Sequence, residues 1–147
     1  MKDKKEYSNE SQLNLKSLVV LTRTSQTVRR QEAKTILETG LTLGQFGVLE
    51  ALYHKGPLRI SVVTEKILST GGNMTVVINN LVKSGLIKKY KDKEDNRANI
   101  VELTRSGVEL MDLHFPRHIE NINNIYSVLD NSEKEHLINL LKKLSRV

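Results

Sequence analysis

Apolar positions recur every three to four residues along most of this chain, which is the spacing of α-helices with one buried face. Glycine and proline interrupt the pattern, most clearly at Gly40, Gly56, Pro57 and Gly85. The pattern therefore predicts six helices, over residues of about 9–38, 43–54, 60–68, 73–84, 105–127 and 130–145.

The period changes after the fourth predicted helix. Two short runs, 86–90 and 98–103, have the composition of strands, and a polar, charged segment separates them, as in an antiparallel hairpin. Short helices, a glycine-containing turn at 69–72, an amphipathic helix and a basic hairpin, in this order, are typical of a winged helix-turn-helix. The predicted fold class is therefore mainly α with a small β-hairpin, flanked by long terminal helices.

Composition excludes several classes of protein. Hydrophobic residues make up 38% of the chain and charged residues 27%, which is ordinary for a chain with a buried core. The longest aliphatic run, residues 18–21, is far shorter than the stretch of about 20 residues that spans a membrane. No apolar segment follows the charged start, and no cysteine is present to form disulfides. We expect a cytoplasmic protein with no membrane partner.

The excess positive charge is concentrated in one segment. The chain carries 23 lysines and arginines against 17 acidic residues, a net charge of +6. Five lysines lie between Lys83 and Lys93, where Asp92 is the one acid. A basic stripe on a short chain indicates a polyanionic partner such as nucleic acid, the alternative being an ordinary solvated surface. The absence of tryptophan disfavours a stacking platform for single strands, so double-stranded DNA is the favoured partner.

The fourth predicted helix has a polar face suited to the major groove. If its apolar face is buried, the opposite face carries amides, hydroxyls and one valine, with no charge before Lys83. Asparagine can pair bidentately with adenine, and threonine or valine can pack on a thymine methyl group. The alternative is the solvated polar face that every surface helix has. The candidate DNA-binding residues here are Thr70, Asn73, Thr75, Val76, Asn79, Asn80 and Lys83.

The predicted hairpin adds further DNA-binding candidates. Lys88, Lys91 and Lys93 suit phosphate contacts, which orient a protein without reading sequence. Arg97 lies at the hairpin tip, from which an arginine can enter a narrow minor groove. Asp95 can hold that guanidinium through a charge-assisted pair. The alternative for Asp95 and Arg97 is an exposed ion pair worth about 0–1 kcal/mol.

Two motifs in this chain resemble the MarR family of transcriptional regulators. Residues 72–81, Gly-Asn-Met-Thr-Val-Val-Ile-Asn-Asn-Leu, followed by Lys-Ser-Gly-Leu-Ile at 83–87, resemble that family's recognition helix. Residues 95–107 resemble its wing, with an Asp-x-Arg, an apolar strand and Leu-Thr-x-x-Gly. The match covers about residues 41–107. The segment from Gly72 to Ile78 is similar to the quinone- and catechol-responsive branch of the family.

The resemblance implies an obligate homodimer in which the first helix and the last two interlock. The residues support this independently, because the terminal helices carry more apolar surface than a small winged helix can cover. The alternative is a closed bundle within one chain. A two-fold dimer predicts a palindromic operator with half-sites one helical turn apart. The candidate interface residues are Leu15, Leu18, Ile119, Ile122, Leu137, Leu141 and Leu144.

These expectations divide the chain into three regions. Residues 1–40 form an N-terminal dimerisation helix, 41–104 form the DNA-binding domain, and 105–147 form C-terminal dimerisation helices. The resemblance further implies a repressor that a small, often aromatic or phenolic, ligand releases from DNA. That ligand would bind between the dimer helices and the DNA-binding lobe. Candidate lining residues are Phe46, Tyr53, Met111 and Phe115, and plain core residues are the alternative reading of all four.

Metal binding and catalysis have little support. His114 and His118 are four residues apart, so both imidazoles can face one metal, and the place resembles one used by zinc-sensing relatives. However, the second-helix position expected to supply a further ligand is Gly47, so we predict no metal and no other cofactor. The chain has no phosphate-binding glycine loop, nucleophile elbow or cysteine, so we predict no enzyme.

Two other functions fit parts of this pattern. One is a nonspecific, architectural DNA-binding protein, and the other is a winged helix used for protein contacts alone. The amide-rich helix face favours a sequence-specific regulator over the architectural protein. The lysine stripe favours either DNA-binding function over protein contacts alone.

Overall fold

Helices dominate the computed structural model, which describes residues 6–67 and 73–146. Within those ranges there are six helices and three short strands, which confirms the predicted fold class. In chain order they are α1 (Asn9–Leu37), α2 (Leu43–Lys55), β1 (Leu58–Arg59), α3 (Ile60–Ile67), α4 (Met74–Lys83), β2 (Ile87–Lys91), β3 (Asn99–Leu103), α5 (Arg105–Tyr126) and α6 (Asn131–Leu144).

Side-chain caps determine where several helices begin. Thr42 and Asp130 each start a reciprocal capping box, with Gln45 and Glu133 respectively, at α2 and α6. Thr104 is the N-cap of α5, and its side-chain oxygen accepts a hydrogen bond from the Gly107 amide at 3.2 Å. These caps satisfy backbone amides that have no partner within the helix, so the helix starts are encoded locally.

The three strands form one antiparallel sheet in the order β1-β3-β2. Strand β2 pairs with β3 as the predicted hairpin, with Ile87 opposite Leu103. Strand β1 pairs with the other edge of β3, placing Arg59 opposite Ile100. Sequence analysis missed β1 because a two-residue strand is too short to show an alternating pattern.

The hydrophobic core lies between the short helices and the sheet. It also receives Met111 from α5 and Ile36 from the end of α1, so the terminal helices are anchored to the winged helix. The buried core side chains of the described residues are Ile36, Phe46, Val48, Leu49, Leu52, Val63, Ile67, Ile78, Leu81, Ile87, Val101 and Met111.

One glycine allows α5 to start close to this core. A Cβ atom on Gly107 would collide with the carbonyl oxygen of Leu86, and the Leu103 side chain lies 3.1 Å from the same position. Only glycine permits this approach, because the obstructing atom belongs to the backbone and cannot rotate away. Two residues of the Leu-Thr-x-x-Gly sequence therefore connect the sheet to α5. Thr104 caps the helix, and Gly107 leaves room for the helix to approach the Leu86 backbone.

The terminal helices extend well beyond the core. Helix α1 has 29 residues, of which Ile36 alone is buried, and no residue of α6 is buried. The C-terminal half of α1 packs against α5, and Asn121 donates to the Gln31 carbonyl at 2.9 Å. In residues 6–67 and 73–146, no helix is both long and apolar enough to cross a membrane.

Candidate nucleic-acid interface

Helix α4 has the two faces that the sequence predicts. Ile78 and Leu81 are buried, and Met74 and Val77 pack against the same core. The opposite face is open to solvent. Its exposed residues are Asn73, Thr75, Val76, Asn79, Asn80 and Lys83, whereas Thr70 lies outside the described residues.

Asn73 has a structural role at the start of α4. Its side-chain oxygen accepts a hydrogen bond from the Thr75 amide at 3.0 Å, which makes Asn73 the N-cap. Asn79 and Asn80 are exposed, and their side-chain amides make no hydrogen bond with other described residues. The three asparagines are therefore not equivalent, although the sequence presents them as one polar set.

The hairpin, called the wing from here on (residues 87–103), presents its lysines to solvent. Lys88 lies 3.4 Å from the Glu102 carboxylate, so part of its charge is neutralised within the sheet. Lys91 and Lys93 are exposed and form no ion pair with any other residue of the described ranges. Together with Lys89, which is likewise exposed, these two lysines carry positive charge that no ion pair within the described ranges neutralises.

Arg97 projects from the wing tip. Its side chain is 94% exposed, and its Nε lies 3.3 Å from Asp95 Oδ1. The same carboxylate oxygen accepts the Arg97 backbone amide at 3.1 Å. Asp95 thus holds both the backbone and the side chain of Arg97, as the predicted pair requires, while leaving the guanidinium accessible to a ligand.

Asp92 lies in the basic stripe and is buried, with a residue exposure of 8%. Arg59 Nε donates to its carboxylate at 2.7 Å, and the Glu94 amide donates to the other oxygen at 3.0 Å. The Glu94 hydrogen bond and the Arg59 guanidinium lower the pKa of Asp92 below its ordinary value. This carboxylate therefore joins β1 to the base of the wing loop.

Sequence analysis missed the Arg59–Asp92 pair. The two residues are 33 positions apart, and they meet because β1 pairs with β3. The available signal was the lone acid in a run of lysines, which would repel DNA phosphates unless a cation neutralised it. With Asp92 paired, the outer part of the wing is more positive than its sequence suggests.

The four candidate ligand-lining residues separate into two pairs. Phe46 and Met111 are fully buried in the core. Tyr53 and Phe115 are half-buried at its edge, with ring centroids 5.6 Å apart. The Tyr53 hydroxyl donates to Asp112 at 2.7 Å, and this hydrogen bond raises the pKa of Tyr53 above its ordinary value. Tyr53 and Phe115 pack against the core that contains Phe46 and Met111, so the two pairs are adjacent.

The two histidines of α5 occupy different surroundings. His118 is buried, with its Nδ1 3.0 Å from Thr35 Oγ1 and its ring 4.8 Å from the ring of Phe46. His114 is half-buried. Among the described residues, no group of three or more histidine or carboxylate side chains is placed to hold a metal ion.

Gly47, the second-helix position at which a further metal ligand was sought, faces α3. The atoms nearest to a Cβ built on Gly47 belong to Ile67 of α3, at 3.5 Å. Phe46, the preceding residue of α2, packs its ring against that of His118. Adjacent positions on a helix point about 100° apart, so a one-residue difference places Gly47 on another face of α2.

The candidate dimer residues lie on apolar stripes of the terminal helices. In α1, Leu15 is 49% exposed and Leu18 is 60% exposed. Ile119, Leu141 and Leu144 are also exposed, whereas Ile122 and Leu137 are half-buried. The chain by itself therefore leaves most of this apolar surface uncovered.

Comparisons with known proteins agree on one family of transcriptional regulators. Residues 31–113 match the family model described as transcriptional regulator SarA/Rot. The chain is 32% identical over 131 residues to the HTH-type transcriptional regulator MhqR of Bacillus subtilis, covering 89% of this chain and 90% of that protein.

Two solved structures resemble the chain closely in fold. One is BpsR of Bordetella bronchiseptica, whose structure was solved to explain how 6-hydroxynicotinic acid regulates its DNA binding. It has a TM-score of 0.73 and 26% sequence identity, and the match covers 88% of this chain and 98% of BpsR. Sco3205, a MarR family regulator of Streptomyces coelicolor solved in complex with DNA, has a TM-score of 0.78 and covers 99% of this chain and 91% of its own. At 16% identity, the latter likeness concerns the fold alone.

Proposed function

Because this chain belongs to the SarA/Rot and MarR-type family of winged-helix transcriptional regulators, we propose that it is a homodimeric repressor released from a palindromic operator by a small aromatic ligand. The members of this family are DNA-binding regulators and not enzymes, in agreement with the lack of a catalytic motif. What we propose beyond family membership is that the protein represses transcription, that its operator is palindromic and that a ligand releases it from DNA.

The observation that carries the proposal is the surface formed by α4 and the wing. Helix α4 presents an uncharged, amide-bearing face, and the wing beside it presents exposed lysines and Arg97. Side chains of the first kind suit base edges, and those of the second suit phosphates and the minor groove. In this assignment α4 lies in the major groove, and the wing contacts the flanking backbone.

The homodimer is supported by the uncovered apolar stripes of α1 and α6. A closed single-chain bundle would bury one face of α6, whereas no residue of α6 is buried in this chain. Exposed leucines in two long helices are the kind of surface that a second copy covers. We accordingly assign residues 1–40 and 105–147 to dimerisation and residues 41–104 to DNA binding.

The effector in this proposal is a small aromatic acid or phenol. Support comes from BpsR, whose DNA binding is regulated by 6-hydroxynicotinic acid. Catechols and quinones are the other candidates, because of the resemblance of the α4 segment to the quinone- and catechol-responsive branch. A ligand that moves operator occupancy from 99:1 to 1:99 needs about 5.5 kcal/mol of differential affinity between the two conformations. We place the protein in the cytoplasm, where its operator is accessible.

The test is an electrophoretic shift and footprint on the DNA upstream of this protein's own gene, with random duplex as competitor. A protected palindrome at nanomolar protein would support the proposal. Equal affinity for random duplex would favour the architectural DNA-binding protein. Absence of binding to either duplex at low salt would contradict both and favour protein partners.

A salt titration separates specific from electrostatic binding on the same samples. Nonspecific affinity falls steeply with salt, because each phosphate contact releases counterions. A specific complex keeps its preference for one site over random duplex as salt rises. Loss of that preference at the same rate as the affinity itself would contradict a sequence-specific regulator.

A further inference from the structure

The end of α4 and the start of α5 meet at one side chain, that of Thr104. Its hydroxyl donates a hydrogen bond to the Gly85 carbonyl at 2.6 Å and accepts one from the Gly107 amide at 3.2 Å. The backbone amide of Thr104 also donates to the Leu86 carbonyl at 3.0 Å. A hydroxyl has a single proton to donate, so this one uses its donor toward α4 and an acceptor toward α5.

Gly85 and Leu86 belong to the C-terminal cap of α4. Gly85 has a φ of 73°, and its amide donates to the Val82 carbonyl at 3.0 Å. The Leu86 amide donates to the Leu81 carbonyl at 3.1 Å. These two hydrogen bonds form a Schellman motif, which satisfies carbonyls in the last turn of a helix. Thr104 therefore holds the backbone that ends α4, rather than a side chain of that helix.

A steric contact acts at the same place. A Cβ atom on Gly107 would collide with the Leu86 carbonyl oxygen, so the first turn of α5 lies directly against the backbone that follows α4. Elsewhere α4 packs on α2, and α5 packs on α1 and α2. Closely packed backbone transmits displacement, because its atoms cannot rotate away as side chains do. A change in the direction of α5 thus acts on the end of α4.

This α4–α5 junction, formed by residues 85–86 and 104–107, separates parts of the chain with different proposed roles. Helix α4 carries the face assigned to base edges, whereas α5 belongs to the region assigned to dimerisation. In a two-fold dimer, the separation and direction of the two recognition helices determine which half-site spacing fits the protein. The junction is therefore the place where the direction of α4 relative to the dimerisation helices is set.

We infer that Thr104 is a positioning residue, whose hydroxyl fixes the direction of α4 relative to α5 and thereby the half-site spacing that the protein accepts. Thr104 acts through the backbone of Gly85 and Leu86. The effect on DNA rests on the proposed function, because a spacing requirement exists only for a dimer on two half-sites. The fixed direction of α4 depends on the single chain, so the two parts are tested separately.

Variants at Thr104 separate the hydrogen bond to Gly85 from the cap of α5. Thr104→Ser keeps a hydroxyl that donates and accepts, so it should behave as the parent does. Thr104→Asp keeps an acceptor that caps α5 as well as serine does, but an ionised carboxylate has no proton to donate to Gly85. Thr104→Ala loses both functions. Circular dichroism of the three variants checks that the helices are retained.

The test without DNA measures the distance between two spin labels within one chain. The sequence has no cysteine, so Asn80→Cys on α4 and Asn123→Cys in α5, both at exposed positions, create the two labelling sites. Dilution with unlabelled protein restricts the measured distances to single chains. We expect double electron–electron resonance to give a broader or shifted distance distribution in Thr104→Asp and Thr104→Ala, and the parental distribution in Thr104→Ser.

Two outcomes of this measurement would overturn the inference. One is the same distribution in the parent and all three variants. The other is a change in Thr104→Ala that Thr104→Asp does not share, because the effect would then belong to the cap of α5 and not to the hydrogen bond with Gly85.

The test with DNA changes the spacing of the footprinted operator. One base pair inserted between the half-sites turns one of them by about 34–36° relative to the other. The parent and Thr104→Ser should prefer the natural spacing. In Thr104→Asp the ratio of affinities for the natural and lengthened operators should fall about threefold to tenfold, the factor that one hydrogen bond contributes to an equilibrium.

The affinity ratio distinguishes positioning from a merely structural role. A Thr104→Asp protein that binds both operators more weakly, at an unchanged ratio, would overturn the inference. If the parent itself shows no preference for the natural spacing, the proposed palindromic operator fails instead. The label distances then decide whether Thr104 fixes the direction of α4.

Discussion

At the scale of single residues, two acid–arginine pairs in the wing have different physical roles. Asp95–Arg97 is almost fully exposed, so water screens it and its contribution to stability is small. Arg59–Asp92 is formed around a buried carboxylate that also accepts a backbone amide. The first pair presents a cation to a ligand, and the second ties β1 to the wing loop.

Arg97→Ala should weaken operator binding by about 1–3 kcal/mol, the range for an arginine that reads a groove. The melting temperature should stay unchanged because the pair with Asp95 is exposed. Titration in the electrophoretic shift assay measures the loss. The matched control is Arg105→Ala, an arginine outside the wing with a 93% exposed side chain. Equal losses in the two variants, or none in Arg97→Ala, would contradict a groove contact.

Asp92→Asn should destabilise the protein at neutral pH and lose its effect in acid. The folded-state pKa of Asp92 is lowered from 3.8, so its stabilising contribution is present above that value and disappears as pH falls through the folded pKa. Melting curves of the variant and the parent should therefore converge below pH 3.8. Asp95→Asn, in the exposed pair, should lower the melting temperature at neutral pH less than Asp92→Asn does. A pH-independent difference for Asp92→Asn would contradict this assignment.

At the scale of elements, local capping determines where α4 and α5 begin, whereas contacts with distant segments determine how they are placed. Helix α4 starts where Asn73 caps it, and its buried face is given by helical spacing. Helix α5 starts at a cap as well, but its approach to β2 depends on the absence of a side chain at Gly107. The recognition surface is thus built from ordinary helices held in position by contacts that lie elsewhere in the chain.

Asparagine variants of α4 should separate base reading from capping. Asn79→Ala should reduce the ratio of specific to nonspecific affinity without changing stability, because the exposed Asn79 makes no intrachain side-chain hydrogen bond in the described part of the chain. Asn73→Ala should also lower stability, by about 0.5–2 kcal/mol for the lost cap. Asn73→Ser keeps a capping oxygen and is the control. A uniform loss of affinity on all duplexes would show contacts to the DNA backbone alone.

Two helix glycines should respond in opposite directions to alanine. Gly107→Ala should destabilise the protein by about 1–3 kcal/mol, because its Cβ meets the Leu86 carbonyl and the backbone must move. Gly47→Ala should stabilise it by about 0.5–1 kcal/mol, since the methyl group makes an ordinary contact with Ile67. Urea denaturation of both variants measures the difference. If both variants were stabilised, helix propensity alone would govern these positions. If both were destabilised, steric crowding alone would govern them.

At the scale of the whole molecule, the chain is an anchored winged helix with two uncovered apolar surfaces. Its core is complete around the sheet and short helices, whereas the outer part of α1 and all of α6 lack buried residues. The proposed two-fold assembly would cover those surfaces and set the separation of the two α4 helices. DNA affinity is therefore expected to depend on residues far from the DNA.

Leu18→Glu should weaken both dimerisation and operator binding. Leu18 is a 60% exposed leucine on the apolar stripe of α1, and a charge there would be buried without a partner in a dimer. Sedimentation velocity and the shift assay measure the two effects. Leu43→Glu places the same charge on an exposed leucine of α2, outside the regions assigned to dimerisation, and is the control. A Leu18→Glu protein that sediments as the parent does would contradict the proposed interface.

The sequence by itself determined the helices, the hairpin and the exposed face of α4. These features depend on residues within a few positions of one another, through helical period, capping and turn chemistry. The same local reasoning identified the Asp95–Arg97 pair, whose members are two residues apart.

Only the tertiary structure decided β1, the burial of Asp92 and the neighbours of Gly47. Each depends on segments far apart in the chain, as with Arg59 and Asp92, which are 33 positions apart. Local sequence patterns do not show which distant segments pack together. A shift of one residue along a helix also turns a side chain toward a different set of neighbours. The surface of α4 was therefore predictable, whereas the position of the wing depends on contacts between distant segments that form only in the folded chain.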